Sequence, residues 1–267
     1  MQKDYIIRNK VMSQSITNKM KTNLIAIALV VFACFMSCSE DESHDLVVSP
    51  SSVSIASGEE IKLSASENCD WRSESDFIAT VDDDGIVKAN FVGQTNIIAY
   101  NVTKSTSVPV VVRGKCNTYT EPVLDFGTTM ADIKSKEQRT LISETGNYLR
   151  YAGENSAVKD VVYMFDNGRM SSAGVLINGL YMTELVDFIT ERYKFVSETD
   201  GLYVFCNGFS VSEATVGVGV GVSNNDDILV SYMQITNITK ASCEETEAEA
   251  MLRHELIKRA SLICSVK

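Results

Sequence analysis

Hydrophobic positions between residues 46 and 113 alternate with polar ones, which is the pattern of half-buried β-strands. Val53 alternates with Ile55 across a serine, and Ile61 alternates with Leu63 across a lysine. Three aspartates followed by Gly85 separate two further apolar segments, and a glycine at that place is typical of a hairpin turn. Short strands with turn signals about every 8–12 residues predict a β-sandwich.

Residues 121–239 mix helical and extended patterns. Thr129 precedes an apolar run, and Asp132 lies three residues after Thr129. This spacing indicates a helix start of the capping-box type, with Asp in place of Glu. A second helix is predicted from Thr183, where apolar residues recur at helical spacing. The predicted strands of this region begin at Leu149 and also cover Val161–Phe165, Met170–Ile177, Leu202–Cys206, Thr215–Val222 and Ile228–Ile235.

The order of these patterns repeats within residues 121–239. After the first helix the chain reads SETGNYL at Ser143–Leu149, and after the second it reads SETDGLY at Ser197–Tyr203. This match predicts a duplicated α-β-β-β unit, with one antiparallel sheet and both helices on one face, in an α+β domain. The opposite face is then the expected contact surface. The region is loosely similar to uncharacterised C-terminal domains of Bacteroides surface lipoproteins, which implies no known activity.

Residues 240–267 predict one more helix. Glutamates come first and Arg253, Lys258 and Arg259 come later, an order that suits the helix dipole. Two interpretations stay open: the helix docks on the preceding domain, or it binds a partner. The apolar positions that recur at helical spacing are Ala248, Met251, Leu252, Leu256, Ala260 and Ile263.

Near the N-terminus, an apolar run at Leu24–Met36 follows two lysines and precedes an acidic stretch. The run is shorter than the roughly 20 residues of a membrane-spanning helix. Its length and its basic flank fit the hydrophobic region of a secretory signal. Met20 opens an ordinary basic region for such a signal, so we predict that translation begins there.

Phe35-Met36-Ser37-Cys38 resembles the lipobox of Bacteroidetes-type envelope lipoproteins, with Phe35 where leucine is most frequent. The resemblance implies cleavage between Ser37 and Cys38 and lipid attachment at Cys38. Residues 1–37 would then be the signal peptide and residues 38–45 an acidic tether. Ordinary secretion or a retained anchor is the alternative. The expected location is the outer membrane, at the cell surface or on the periplasmic face.

Residues 46–113 also resemble a family, the bacterial Ig-like group 2 (BIG2) domains. The similarity rests on motifs in the family's order: Ser49–Val53, then Trp71 before a serine-rich loop, then Ile78–Asp82 with the Gly85 turn, then Val92–Ala99. The resemblance implies an Ig-like sandwich that serves as an adhesion module, stalk or spacer and has no catalytic residues. A linker at residues 114–120 separates it from the α+β domain.

Charge and cysteine content narrow the function further. The formal net charge of -11 gives no attraction to a phosphate backbone, so no nucleic-acid partner is expected. Of the seven cysteines, Cys34 and Cys38 fall in the signal and its cleavage site. The remaining five are far apart, so a disulfide framework is not expected, although one bridge stays open. His44 and His254 lie near no cysteine pair, so no metal site and no cofactor are predicted.

Several motifs resemble catalytic or binding motifs without fitting them. Gly217–Gly221 contains GxGxG, but alternating valines predict a strand, whose small glycine face can accept a closely packed helix or aromatic ring. Gly208–Ser212 lacks the second glycine of a nucleophile elbow. A Ser-His-Asp triad would have to use His44 or His254.

Other polar residues are interpreted as structural. Asp82–Asp84 is expected to be a solvated turn, because three adjacent carboxylates do not converge on a calcium ion. Trp71 is expected in the sandwich core and not at a sugar site. The carboxylates of Glu184, Asp187 and Glu191 are expected on a solvated helix face.

These observations predict a non-enzymatic, lipid-anchored envelope protein that mediates adhesion or binds a glycan or a protein, with the sandwich as a spacer. A structural or assembly factor of the envelope is the alternative, and a cryptic hydrolase is the third. No ligand-binding residue is predicted.

Overall fold

Strands dominate the architecture, and the computed structural model describes residues 45–199, 201–223, 226–235 and 245–266. The predicted signal peptide, the Ser37–Cys38 cleavage site and residues 38–44 of the tether lie outside this part of the chain. In the described ranges, no helix combines the length and the apolar composition that crossing a bilayer requires.

The chain up to residue 113 forms two facing sheets around a common core. One sheet has the order β2-β9-β8-β5, and the other has the order β3-β7-β6, with a short β1-β4 pair beside them. β2 and β9 are parallel, and the other pairs are antiparallel. The strands are β1 (Val48–Ser49), β2 (Val53–Ala56), β3 (Glu60–Lys62), β4 (Ser64–Ala65), β5 (Asp70–Ser73), β6 (Ala79–Val81), β7 (Ile86–Ala89), β8 (Gly93–Tyr100) and β9 (Ser105–Arg113).

Alternate residues of both sheets fill the core, and Val87, Ile97 and Val110 are fully buried there. The predicted hairpin turn is confirmed, because Gly85 has a φ of 76°, a conformation that glycine adopts without strain. Trp71 is half-buried and packs against this core, beside Gly85. A β-sandwich is therefore present, whereas its Ig-like type stays a prediction.

The rest of the chain builds one eight-stranded antiparallel sheet in the order β10-β11-β12-β13-β17-β16-β15-β14. The elements are α1 (Met130–Lys136), β10 (Leu141–Glu144), β11 (Tyr148–Ala152), β12 (Val158–Asp166), β13 (Arg169–Ile177), a 3-10 turn (Gly179–Tyr181), α2 (Met182–Thr190), β14 (Lys194–Thr199), β15 (Leu202–Cys206), β16 (Val216–Val222), β17 (Ile228–Gln234) and α3 (Glu245–Cys264).

The order of elements repeats in the two halves of the sheet, and each half has one helix and four strands where three strands were predicted. β10 and β14 are the additional strands, and they lie at the two outer edges of the sheet. The repeated Ser-Glu-Thr motif belongs to these edge strands and to the turns after them. Both edge strands carry a bulge at the equivalent place, one before Ser143 and one before Ser197. The two meanders meet where β13 pairs with β17.

Helices α1 and α2 cover the same face of this sheet, as predicted. The capping box of α1 is confirmed, since the Thr129 N–H donates to Asp132 Oδ2 (3.0 Å) and the Asp132 N–H donates to Thr129 Oγ1 (3.3 Å). We call this side of the sheet the front face. The helix residues buried against it are Ile133, Leu185, Phe188 and Ile189.

The opposite side, which we call the back face, carries α3 and is not the open contact surface that the sequence predicted. Leu252, Leu256 and Ile263 of α3 are buried there, and each such side chain contributes about 1.5–3 kcal/mol of hydrophobic stabilisation. The docking interpretation of the C-terminal helix is thus confirmed. The partner-binding alternative would require these side chains to leave the back face.

Glycines of the sheet make room for α3, as the alternating Val/Gly strand predicted. A Cβ atom at Gly217 of β16 would overlap the Cδ1 atom of Leu252. A Cβ atom at Gly174 of β13 would lie 2.7 Å from Ile263 Cγ2. Close approach of a helix therefore depends on the absence of side chains at these two positions.

We expect Gly217→Ala to lower the thermal midpoint of unfolding, because the new methyl group overlaps Leu252 and over-packing of this kind costs about 1–3 kcal/mol. Circular dichroism of the full-length chain measures the midpoint. Gly221→Ala on the same strand is the matched control, because its Cβ would meet Leu202 Cδ1 at an ordinary 3.5 Å. Equal midpoints for the two variants would contradict the close packing of α3.

Candidate functional site

Several of the residues considered from the sequence have structural roles. Asp82 closes its own turn, since its Oδ1 accepts hydrogen bonds from the N–H groups of Asp84 (3.0 Å) and Ile86 (2.8 Å). Gly217–Gly221 lies within β16, so the strand interpretation is confirmed. In the described part of the chain, no group of three or more His, Cys, Asp or Glu side chains is placed to hold a metal ion.

Glu191 is not on a solvated face, which corrects the expectation for this residue. Its carboxylate accepts hydrogen bonds from the backbone N–H groups of Lys115 (2.9 Å) and Cys116 (3.0 Å). The linker passes the end of α2 at this point, and its N–H groups need acceptors because they are not paired in a sheet. Glu184 and Asp187 are exposed, as expected.

The sandwich and the eight-stranded sheet meet through contacts at this same place. The Val92 N–H donates to the Glu191 carbonyl (2.8 Å). Phe77 and Phe91 of the sandwich stack with ring centroids 4.2 Å apart, and Phe209 of the sheet domain meets Phe77 edge-on at 5.5 Å. The linker is thus fixed by hydrogen bonds and by aromatic packing, which limits hinge motion between the two parts.

A cluster of polar side chains is buried under the segment 115–126, which crosses the front face. The hydroxyl groups of Tyr119 and Tyr232 are hydrogen-bonded to each other. The Tyr193 hydroxyl donates to Glu121 Oε1 (2.6 Å), and Arg192 Nε lies 3.7 Å from Glu121 Oε2. Burial raises the pKa of Glu121, and hydrogen bonding to Tyr193 together with the charge of Arg192 offsets only part of this effect.

A second cluster holds the same segment further along. Arg139 pairs with Glu137 (Nη1–Oε2, 2.9 Å) and with Glu154 (Nε–Oε2, 2.7 Å), and the Tyr163 hydroxyl donates to Glu137. The Thr120 N–H donates to Glu154 (2.8 Å). Burial alone would raise the pKa of Glu154, but the hydrogen bonds from Arg139 and Thr120 outweigh it, and the pKa is lowered.

These two clusters border a cavity of about 350 Å³, yet their polar groups are occupied with one another. Glu137 and Glu154 share one arginine, and Glu121 has a tyrosine and an arginine as partners. Buried polar groups that are satisfied in this way fix a conformation. We therefore assign both clusters to holding the segment 115–126 against the sheet.

A cavity of about 690 Å³ lies between α3 and the β12–β13 hairpin. We call it the helix groove. One wall is the β12–β13 hairpin with Asp166 and Arg169, and the other is α3 with Met251 and His254. Met233 at the end of β17 lies between them. The hairpin turn is the predicted one, since Asn167 and Gly168 have φ angles of 52° and 74°.

Charges in the helix groove are unevenly neutralised. Arg259 Nη1 donates to Asp166 Oδ2 (2.5 Å), and its Nε lies 3.9 Å from a Glu255 oxygen. The hydrogen bond to Arg259 lowers the pKa of Asp166. Arg169 donates to the Gly127 carbonyl (3.3 Å) and forms no ion pair with another described residue. The charge of Arg169 also lowers the pKa of Asp132, so this arginine has an anionic neighbour near the groove.

Sequence reasoning did not find this groove. Its walls come from residues near 166, 233 and 254, which are distant in the chain and meet only when α3 docks. The sequence suggested for His254 only a metal-ligand or triad role, both of which were judged unfavourable. In the structure it lines the groove, where Ser171 is the only serine among the lining residues. The apolar stripe of α3 was the one available signal, because it predicted that the helix packs against the sheet.

No protein-family model matches the chain, and no curated protein sequence does. Among solved structures, domains 5-6 of the S-layer protein SbsC align with 20% identity over 70% of this chain and 82% of that one, with a TM-score of 0.22. A SusE-like surface located polysaccharide binding protein from the Bacteroides thetaiotaomicron heparin utilisation locus aligns with 10% identity and a TM-score of 0.19. The aligned region spans 68% of this chain and 32% of that protein.

Similarities at these TM-scores establish neither a shared fold nor a shared ligand. The protein is described by its own geometry: a mostly β chain with a large antiparallel sheet, few helices and a docked C-terminal helix.

Half-buried Glu121 and exposed Glu154 predict opposite pH dependences, because their pKa values shift in opposite directions. Because the pKa of Glu121 is raised on folding, its contribution to stability is lost as pH rises above about 4.3, the ordinary value for Glu. We therefore expect the thermal midpoint of Glu121→Gln minus that of the native chain to increase from about pH 4 to about pH 8. Thermal unfolding at a series of pH values measures this difference.

Glu154→Gln is the matched control with the opposite sign. Its lowered pKa adds stability above about pH 4.3, and this stability is lost as pH falls through the folded-state pKa. The thermal midpoint of Glu154→Gln minus that of the native chain should therefore increase as pH falls through the folded-state pKa of Glu154. Parallel curves for the two variants would show that the assigned environments are wrong.

Proposed function

We propose that this protein is a non-enzymatic, lipid-anchored binding protein of a bacterial envelope. In this proposal Cys38 carries the lipid, residues 38–45 are the tether, and a BIG2-type Ig-like sandwich at residues 46–113 is the spacer. The α+β domain at residues 121–239 and the helix at residues 240–267 then present the ligand site. The observation that carries the binding role is the helix groove.

The groove suits binding better than catalysis. Its volume lies in the range of about 300–1,000 Å³ that ligand sites occupy. Met251 of α3 is half-buried and supplies an apolar, adaptable side chain to the groove. Asp166 and Glu255 are engaged with Arg259, so neither carboxylate is presented as a free acid or base to a substrate.

The joint between sandwich and sheet supports the role of a spacer. A spacer positions its cargo only when the connection between them is stiff, and here the linker is held by Glu191 while Phe77, Phe91 and Phe209 pack together. We infer that the sandwich holds the binding domain at a set distance and in a set direction from the tether.

Lipid attachment at Cys38 is tested by metabolic labelling of expressing cells with a radioactive fatty acid. We expect label in the native chain and none in Cys38→Ala, because thiol acylation requires the sulfur. Cys34→Ala is the matched control, since Cys34 belongs to the same apolar stretch and should leave labelling unchanged. Label retained in Cys38→Ala, or lost only in Cys34→Ala, would refute the anchor.

A further inference from the structure

We propose that a second cavity beside α3, over the start of β15 and the end of β16, binds a single aliphatic chain. We call this cavity the wedge. It measures about 280 Å³, and its walls include Leu202 of β15, Gly221 of β16 and the α3 residues Ile257 and Ala260. The wedge shares no lining residue with the helix groove, so this inference goes beyond the proposed function.

The wedge exists because α3 leaves β16 before the strand ends. A Cβ atom at Gly217 would overlap Leu252 of α3, whereas a Cβ atom at Gly221 would have no atom of α3 within 4 Å. The helix has crossed to β13 by then, where a Cβ atom at Gly174 would lie 2.7 Å from Ile263 Cγ2. Because α3 crosses the strands at an angle, a gap opens where Leu202 pairs with Gly221.

The surface of the wedge is apolar and carries no charge. Asp, Glu, Lys, Arg and His are all absent from the described residues that line it, and so are aromatic residues. Leu202 is half-buried and Ile257 is 47% exposed, so both side chains can contact a ligand. A charged group placed here would lose its hydration without gaining a partner. The lining therefore favours an uncharged, aliphatic ligand.

Two hydroxyl groups of the wedge already have partners in the protein. Ser231 Oγ donates to the Gly219 carbonyl (3.2 Å), and Ser261 Oγ donates to the Ile257 carbonyl (3.1 Å). These serines therefore do not require a polar ligand. The volume lies just below the roughly 300 Å³ at which the usual range of ligand sites begins. This size suits one short chain and is too small for an oligosaccharide.

Cys264 lines the wedge as an exposed, free thiol, so its modification rate reports on what the wedge binds. The full-length chain is reconstituted in phospholipid nanodiscs, where no free detergent competes, and is treated with N-ethyl, N-butyl or N-hexyl maleimide. The thiolate sulfur adds to the maleimide double bond, and the neighbouring carbon takes up a proton. Peptide mapping measures the rate at Cys264 and at Cys116, which lies outside the wedge and serves as an internal reference.

We expect the rate ratio of Cys264 to Cys116 to increase with the length of the alkyl chain until the wedge is full. The increase should reach about fourfold for each added methylene group, the factor that corresponds to about 0.8 kcal/mol per CH₂. The reference removes the effect of reagent dissolved in the lipid, because both cysteines meet the same free concentration.

Three variants make the result specific to the wedge. Gly221→Val fills it and Ile257→Glu introduces a charge, so both should remove the dependence on chain length. Leu262→Glu is the matched control, because Leu262 is a 39% exposed residue of the same helix that does not line the wedge. This control should keep the dependence. Unchanged thermal midpoints confirm that the variants are folded.

Competition separates two sources of an aliphatic chain. Protection of Cys264 from N-hexyl maleimide by free 1-octanol would assign the wedge to soluble aliphatic compounds. Protection by added phosphatidylethanolamine vesicles alone would assign it to the acyl chain of a membrane lipid. The inference is overturned if the rate ratio does not depend on chain length, if neither competitor protects Cys264, or if Ile257→Glu and Leu262→Glu behave alike.

Discussion

Leu252 and Leu256 of α3 lie against the glycine side of β16, and the rest of the sheet domain depends on this contact. Without α3, the back face would expose the apolar residues Val204 and Met233, which are buried beneath it. Gly217 leaves the space that the Cδ1 atom of Leu252 occupies, so a side chain there would force Leu252 to move. The alternating residues of β16 therefore have two roles. Its valines pack in the core of the front face, and its glycines leave room for α3 on the back face.

Coverage of both faces decides where the molecule can bind others. The front face is closed by α1, α2 and the segment 115–126. The polar clusters around Glu121 and Arg139 beneath this segment have partners within the protein. The back face is closed by α3. The helix groove is an opening beside α3 that remains when both faces are covered.

Local interactions made much of the fold predictable. The capping box of Thr129 and the turn at Gly168 each depend on neighbours within four residues, and both were found from the sequence. The edge strands β10 and β14 were missed because an edge strand buries little and carries no clear alternation. The role of Glu191 and the groove itself could not be predicted, since both depend on segments that are far apart in the chain.

The position of α3 on the back face is the central claim, and one engineered crosslink tests it most directly. Ser223 Oγ, just after β16, lies 4.0 Å from the sulfur of Cys264 at the end of α3. Oxidation of Ser223→Cys should therefore produce a disulfide between the new thiol and Cys264, detected by peptide mapping without reductant. Free, alkylatable Cys264 after oxidation would contradict the docked helix and the groove built on it.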